Sequence, residues 1–158
     1  MSVEAKSKRK HNIKHIKPQK NSRYEQGYIN PSSCKKLFEA VRKEPIIYRS
    51  GLELKYIHFF EQCPGIRKWA SEPFNIEYFS RLDNSMKNYY PDFILEKTNG
   101  DVLLVEIKPD DQTHKPSSIS NNWAKESWIR NTDKWSAAKE FAEKRGMKFI
   151  ILTEKFLN

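Results

Sequence analysis

Apolar and polar positions recur at two different spacings along this chain, and the spacing switches several times after Asn30. Asn30 can cap a helix and Pro31 suits a first helical position; Leu37, Phe38 and Val41 then fall on one side, so the pattern predicts a helix ending before Pro45. A second helix is predicted from Ser50, where Leu52, Tyr56, Ile57, Phe59 and Phe60 cover a broad face until Pro64 and Gly65 stop it. Short runs of strand character follow, at about Phe74 to Phe79, Tyr89 to Leu95 and Val102 to Ile107, with Asn99-Gly100 as a hairpin turn between the last two. Pro109 to about Asn122 is a polar loop. Beyond it, Ala124, Trp128, Trp135, Ala138 and Ala142 mark a helical stripe ending at Gly146, and Lys148 to Leu152 reads as a buried strand. The order ααβββαβ predicts an α/β domain: a mixed sheet of about four strands flanked by helices.

Charge divides the chain. Of 158 residues, 29 are Lys or Arg and 20 are Asp or Glu, a formal charge of +9. Residues 1 to 23 hold eight of the bases and a single acid, Glu4, so this segment carries +7 and the remainder is nearly neutral. With only Ile13 and Ile16 as large aliphatics, the segment cannot bury enough surface to fold alone, but its bases can neutralise phosphates and release counterions. The expected organisation is therefore a basic, flexible N-terminal arm over residues 1–29 and a folded domain over 30–158. Lys8, Arg9, Lys10, Lys14 and Lys17 of the arm are candidate nucleic-acid contacts; a solubilising tail or a protein-docking strand is the plainer alternative.

The same composition excludes several classes. A hydrophobic share of 37% with 9 Phe, 7 Tyr and 4 Trp is enough for a core, which rules out global disorder. No apolar run is long enough for a membrane span and no apolar segment follows Met1, so no membrane association and no secretory leader are expected, and the cytoplasm is the expected compartment. Cys34 and Cys63 lack the number and spacing for a disulfide framework or a zinc site and read as small buried hydrophobes. His11, His15, His58 and His114 lack the spacing of a ligand pair. No glycine-rich phosphate loop occurs, so no nucleotide cofactor is expected.

The candidate chemistry lies in Tyr90-Pro91-Asp92-Phe93-Ile94-Leu95 and Val102-Leu103-Leu104-Val105-Glu106-Ile107-Lys108. Strand alternation sends Glu106 and Lys108 from one face, continuing the apolar face of Val102 and Leu104, while the hairpin sets Asp92 on the neighbouring strand. Two carboxylates this close repel unless a cation lies between them, and Mg²⁺ takes one or two carboxylates together with waters and phosphate oxygens. Mn²⁺ is the alternative ion. Such an ion would polarise a phosphate, and Lys108 would offset the charge developing on it.

Pro91-Asp92 followed by Glu106-Ile107-Lys108 resembles the motif of the PD-(D/E)XK nuclease superfamily. With Tyr48-Arg49-Ser50-Gly51-Leu52-Glu53 and Ser71-Glu72-Pro73-Phe74 upstream, the order is similar to that of TnsA-type transposon endonucleases. The resemblance, over about residues 46 to 152, implies a restriction-endonuclease-like core. It also implies a metal site in which Glu53 joins Asp92 and Glu106, with Lys108 as the catalytic lysine. In length and layout the chain also resembles small nucleases of phage head morphogenesis, which implies DNA as substrate, phage head or portal proteins as partners, and a place in the host cell or on the virion. The rival expectation is a DNA-binding or capsid-assembly adaptor whose acids are structural. Glu53 has a plain alternative too, since Ser50-x-x-Glu53 is a capping box. Arg49, Lys134 and Lys139 are candidate DNA contacts, although single bases on helices are ordinarily solvated. Trp123, Trp128 and Trp135 fit a core by their spacing, and of the three Trp123, at the end of the polar loop, is the candidate for contact with a base.

Overall fold

The computed structural model describes residues 26–157. In chain order the elements are β1 (Gly27–Ile29), β2 (Ile46–Tyr48), α1 (Gly51–Gln62), β3 (Ile66–Ser71), β4 (Ile76–Ser80), β5 (Ser85–Tyr89), β6 (Phe93–Lys97), β7 (Val102–Ile107), α2 (Asn122–Glu143) and β8 (Lys148–Leu152). The arm residues Lys8, Arg9, Lys10, Lys14 and Lys17 lie outside the described residues. Gly27–Ile29, assigned to the arm from sequence, pairs antiparallel with β2, so ordered structure begins before Asn30.

The expected mixed four-stranded sheet is present, in the order β3-β6-β7-β8, antiparallel except for the parallel pair β7 and β8. One of its members differs from expectation. The Phe74 to Phe79 run does not join this sheet; as β4 it pairs with β5 in a separate hairpin, tied to α2 by Arg81, whose Nε donates to Asp133 Oδ1 at 2.6 Å. Its place in the main sheet is taken by β3, which Arg67 and Lys68 conceal. They break the apolar alternation, and a register shift between Ile66 and Lys68 changes the period before Trp69, Ala70 and Ser71, all buried in succession.

The helix expected between Pro31 and Pro45 does not form. Two short 3-10 turns, Pro31–Ser33 and Glu39–Val41, flank an extended stretch instead. Its backbone donors are taken by tertiary partners: Glu61 accepts from Lys35 N–H at 2.6 Å and Lys36 N–H at 3.1 Å, while Phe38 N–H donates to Trp69 O and Trp69 N–H to Lys36 O. A helix needs those same N–H groups for its own ladder, and here a carboxylate and a strand edge outcompete it. Burial would push Glu61 up, but the hydrogen bonds from Trp69 Nε1, Lys35 and Lys36 hold its carboxyl below the ordinary range.

The second helix forms where expected. Ser50 is its cap, accepting from Glu53 N–H at 3.1 Å, and Lys36 Nζ satisfies the last-turn carbonyl of Phe60 and that of Cys63 at the far end. Phe60 packs edge-on to Phe93, with ring centroids 5.1 Å apart, and against Trp69, so α1 covers that face of the sheet. The closing helix and strand are also present, and α2 packs along β8, β7 and β4 with Ala138 and Ala142 fully buried. Cys34 is buried and Cys63 half-buried, both free thiols. Among the described residues no helix is long and apolar enough to cross a membrane.

Candidate active site

The β6-β7 hairpin builds the site. Phe93 pairs with Val105, and continuing that register by one step sets Asp92 opposite Glu106 at the open end of the hairpin. Asp92 is fixed by its neighbour strand: Oδ2 accepts from Ile107 N–H at 2.7 Å, while its own carbonyl accepts from Glu72 N–H. Glu106 is 6% exposed, and Tyr89 O–H donates to its Oε2. Lys108 Nζ lies 3.7 Å from Glu106 Oε1, an ion-pair distance longer than a hydrogen bond. The three residues singled out from sequence on this hairpin therefore meet, and Glu53 approaches them from the first turn of α1. Its Oε2 accepts from Arg49 N–H at 3.0 Å, which is half of a capping box displaced by one residue from the cap.

The electrostatics follow from that convergence. Burial, then the Glu106 and Glu53 carboxylates, push Asp92 well above the ordinary carboxylate range. Burial chiefly, with Glu72 and Glu106 adding to it against the opposing Arg49, raises Glu53 to about 7. Glu106 is also raised by burial, although Lys108, the Tyr89 hydroxyl and Lys134 pull the other way. All the clustered side-chain donors that could face a cation are oxygens, the chemistry a hard divalent ion prefers. Yet each acid has one oxygen occupied by a protein donor, and among the described residues no three His, Cys, Asp or Glu side chains close into a ready-made metal cage. Oxygen donors of this kind fit a hard divalent ion whose remaining positions are filled by water and phosphate, rather than an all-protein cage.

This cluster makes a pH prediction. A carboxyl whose folded pKa is raised binds its proton more tightly folded than unfolded, so stability falls as pH climbs from the ordinary range through the raised value. In EDTA the protein is expected to melt at a higher temperature at pH 5.5 than at pH 7.5, and Asp92→Asn is expected to flatten the difference. Thermal melting at the two pH values checks this; equal melting temperatures for the native chain would show that these carboxyls are not raised in the folded chain.

Other residues take part beside the expected acids and Lys108. Tyr89 is the hydrogen-bond partner of Glu106, and its position before Tyr90-Pro91-Asp92 carried no distinguishing signal. Glu72 pairs with Arg49, whose Nε donates to Glu72 Oε1 at 3.0 Å, and its backbone is left-handed at φ 43°. Such a φ is uncommon for a residue other than glycine. Arg49 is thus engaged beside the site by both its backbone and its guanidinium. Lys134 is half-buried on α2 with Nζ 5.7 Å from the Tyr89 ring; burial lowers its pKa while Glu106 raises it, so its charge faces the acids rather than the solvent. Lys139 is exposed, as expected. A pocket of about 300 Å³ opens beside these groups, lined by Arg49, Ser50, Glu53, Ile107, Lys108 and Gln112.

Residues 63–154, more than half of the chain, match the family model described as TnsA-like endonuclease N terminal. The chain belongs to this family of PD-(D/E)XK-type nucleases, which generally use divalent metals. A curated relative, the head completion nuclease of Enterobacteria phage T4, is 36% identical over 118 residues, covering 69% of this chain and 79% of that protein. The family match includes Asp92, Glu106, Lys108 and Lys134, and starts ten residues after Glu53.

Proposed function

We propose that this chain is a Mg²⁺- or Mn²⁺-dependent deoxyribonuclease of the head-completion type, hydrolysing DNA phosphodiesters during phage head maturation and head-tail joining. It would work in the host cell and on the assembling virion, with head or portal proteins as neighbours. The observation that carries the reading is the meeting of Asp92, Glu106 and Lys108 at one hairpin end, where burial raises both acids and the Glu106 carboxylate further raises Asp92. An adaptor would instead spread such acids over a rim and pair each with a base, whereas Asp92 takes its hydrogen bond from a backbone N–H.

In this reading Asp92 and Glu106 hold the ion, with Glu53 as the third carboxylate. The bound ion supplies Lewis acidity at the scissile phosphate and eases deprotonation of an attacking water. The Ile107 N–H keeps Asp92 in place, and the Tyr89 hydroxyl orients Glu106. Lys108 sets a fixed positive charge beside Glu106, where it can offset the charge that grows on the phosphate. Lys134 adds a second cation from α2, and Arg49 lies at the mouth of the pocket. Incubating the purified protein with plasmid DNA in Mg²⁺, Mn²⁺ or EDTA tests the whole reading: cleavage with either metal and none in EDTA is expected, and intact plasmid in all three would overturn it.

Residues 1–23 are proposed to supply sequence-independent affinity through Lys8, Arg9, Lys10, Lys14, Lys17 and their neighbours. If six phosphates are engaged, removing this segment flattens the slope of log K against log salt by roughly 5 on duplex DNA. Titrations at several salt concentrations measure it, and an unchanged slope would assign the arm to a protein partner.

A further inference from the structure

Beyond the acidic centre lies a second pocket, of about 350 Å³, between the loop that follows β7 and the first turns of α2. Gln112 lines both this pocket and the one holding Glu53 and Lys108, so the two are neighbours across a thin partition. That partition is the 3-10 turn Asp110–Thr113, four residues long.

The lining has a definite chemical character. Trp123 stands at the rim with 61% of its surface exposed, and Trp128 forms part of the wall, backed by Trp135 in an edge-on pair with centroids 5.9 Å apart. Gln112, Ser127 and Asn131 bring amide and hydroxyl groups that both donate and accept. Asp111 is the acid among the lining residues, which disfavours a phosphate inside, while Lys115 offers a cation to one alongside. An aromatic platform, neutral two-way hydrogen-bonding groups and an acid suit an uncharged heterocycle attached to a charged backbone.

The pocket is also held open. Asp110 accepts from Lys155 Nζ at 2.7 Å and contacts His114 Nε2 at 3.3 Å, and its N–H donates to Glu154. Thr113 Oγ1 donates to Asp110 O, the Ser117 and Ser120 hydroxyls meet at 3.1 Å, and Asn121 caps α2 by accepting from Ala124 N–H at 2.8 Å. A loop fastened along its length presents a preformed site, which avoids an ordering cost on binding.

We propose that this pocket receives one unpaired nucleobase of the DNA substrate, stacked on Trp123, beside the phosphate at the acidic centre. The inference deepens the nuclease reading and rests on it. A base in a duplex is stacked on both faces and cannot enter, so the pocket favours DNA with a single-stranded end, flap or gap beside the cut.

The test uses the full chain in Ca²⁺ with two fluorescent oligonucleotides: a blunt duplex, and the same duplex with a three-nucleotide overhang carrying 2-aminopurine. The native chain is expected to bind the overhang roughly tenfold more tightly than the blunt end and to quench the 2-aminopurine, since stacking on one aromatic ring is worth about that much. Trp123→Ala is expected to lose the preference and the quenching, and Trp123→Phe to keep most of both. Ser127→Phe, which fills the pocket but leaves the indole, should lose them as well, and melting curves establish that each variant is folded. Equal preference in native, Trp123→Ala and Ser127→Phe chains would overturn the pocket assignment. Cleavage of both substrates in Mg²⁺ by the native chain, measured in parallel, shows whether such a result leaves the nuclease reading standing; a native chain that neither binds nor cleaves either DNA overturns both.

Discussion

Asp92→Asn is expected to lower metal-dependent DNA cleavage more than roughly a hundredfold, the scale of a lost transition-state contact, while the protein stays folded. Asparagine is the right probe because Asp92 has a structural duty as well as a chemical one. Its Oδ2 accepts from Ile107 N–H at 2.7 Å, and alanine would leave that buried donor unpaired at a cost of about 1–3 kcal/mol. The asparagine oxygen can keep the bond, and loss of the charge removes the repulsion from Glu106 and Glu53. A drop in activity with an unchanged or raised melting temperature therefore isolates the chemistry. Lys108→Ala should lose a similar factor without loss of metal affinity, because its ammonium acts on the charge of the reacting phosphate. Plasmid nicking rates at saturating Mg²⁺ and a Mg²⁺ titration measure the two effects; native rates in either variant would sink the site assignment.

How far the sequence carried the fold depended on whether local and tertiary forces agreed. In α1 they agree: the Ser50 cap, the spacing of Tyr56, Ile57 and Phe60, and the Pro64 stop all specify the same helix, and it forms. In the segment after Pro31 they disagree. Leu37, Phe38 and Val41 have helical spacing, but Leu37 bridges to Trp69 as an extended residue, and the Glu61 carboxylate claims the two N–H groups before it. Glu61 is 25 residues from Lys36, so no window of local pattern could reveal the competition. Strand β3 was hidden for a related reason. A strand covered on both faces has no polar alternation, and here a bulge and two bases further disguise it. The pattern predicts one strand from Tyr89 to Leu95, yet Tyr89 ends β5 and Phe93 begins β6, in different sheets. Pro91 and Asp92 make the corner between them, and that corner turns the Tyr89 hydroxyl onto Glu106.

The acidic centre was more legible than the fold around it, because hairpin register follows from the turn. Asn99-Gly100 fixes the pairing of β6 and β7, with Gly100 at φ 93°, and register alone then sets Asp92 across from Glu106. What register cannot convey is the contribution of other elements. Lys134 comes from α2 and Glu72 from the end of β3, each carried to the centre by packing; the sequence marked Lys134 only as a DNA contact and Glu72 only within Ser71-Glu72-Pro73-Phe74, with no place for either at the acidic centre.

Glu53→Gln is expected to melt at or above the native temperature at pH 7.5 and yet cleave DNA far more slowly, with a raised Mg²⁺ requirement. Two duties are argued for Glu53. As a clasp at the helix entrance, Glu53 accepts from Arg49 N–H at 3.0 Å, a bond that the glutamine oxygen can also accept. As a proposed metal carboxylate, it is raised to about 7 by burial, with Glu72 and Glu106 contributing, so in the ion-free protein at pH 7.5 its charge is held at a cost. Glutamine removes that cost, which is why stability should not fall; it also removes a negative charge that a hard cation needs, which is why activity should. Alanine cannot separate the roles, since it would discard the clasp along with the charge, at a cost of about 1 kcal/mol. The decisive pair of measurements is thermal melting in EDTA and cleavage across a Mg²⁺ titration, on the variant and the native chain side by side. Raised melting with native cleavage would make Glu53 a helix clasp that merely tolerates its charge, leaving Asp92 and Glu106 to hold the ion; lowered melting with native cleavage would show that the clasp outweighs the cost of burying the charge.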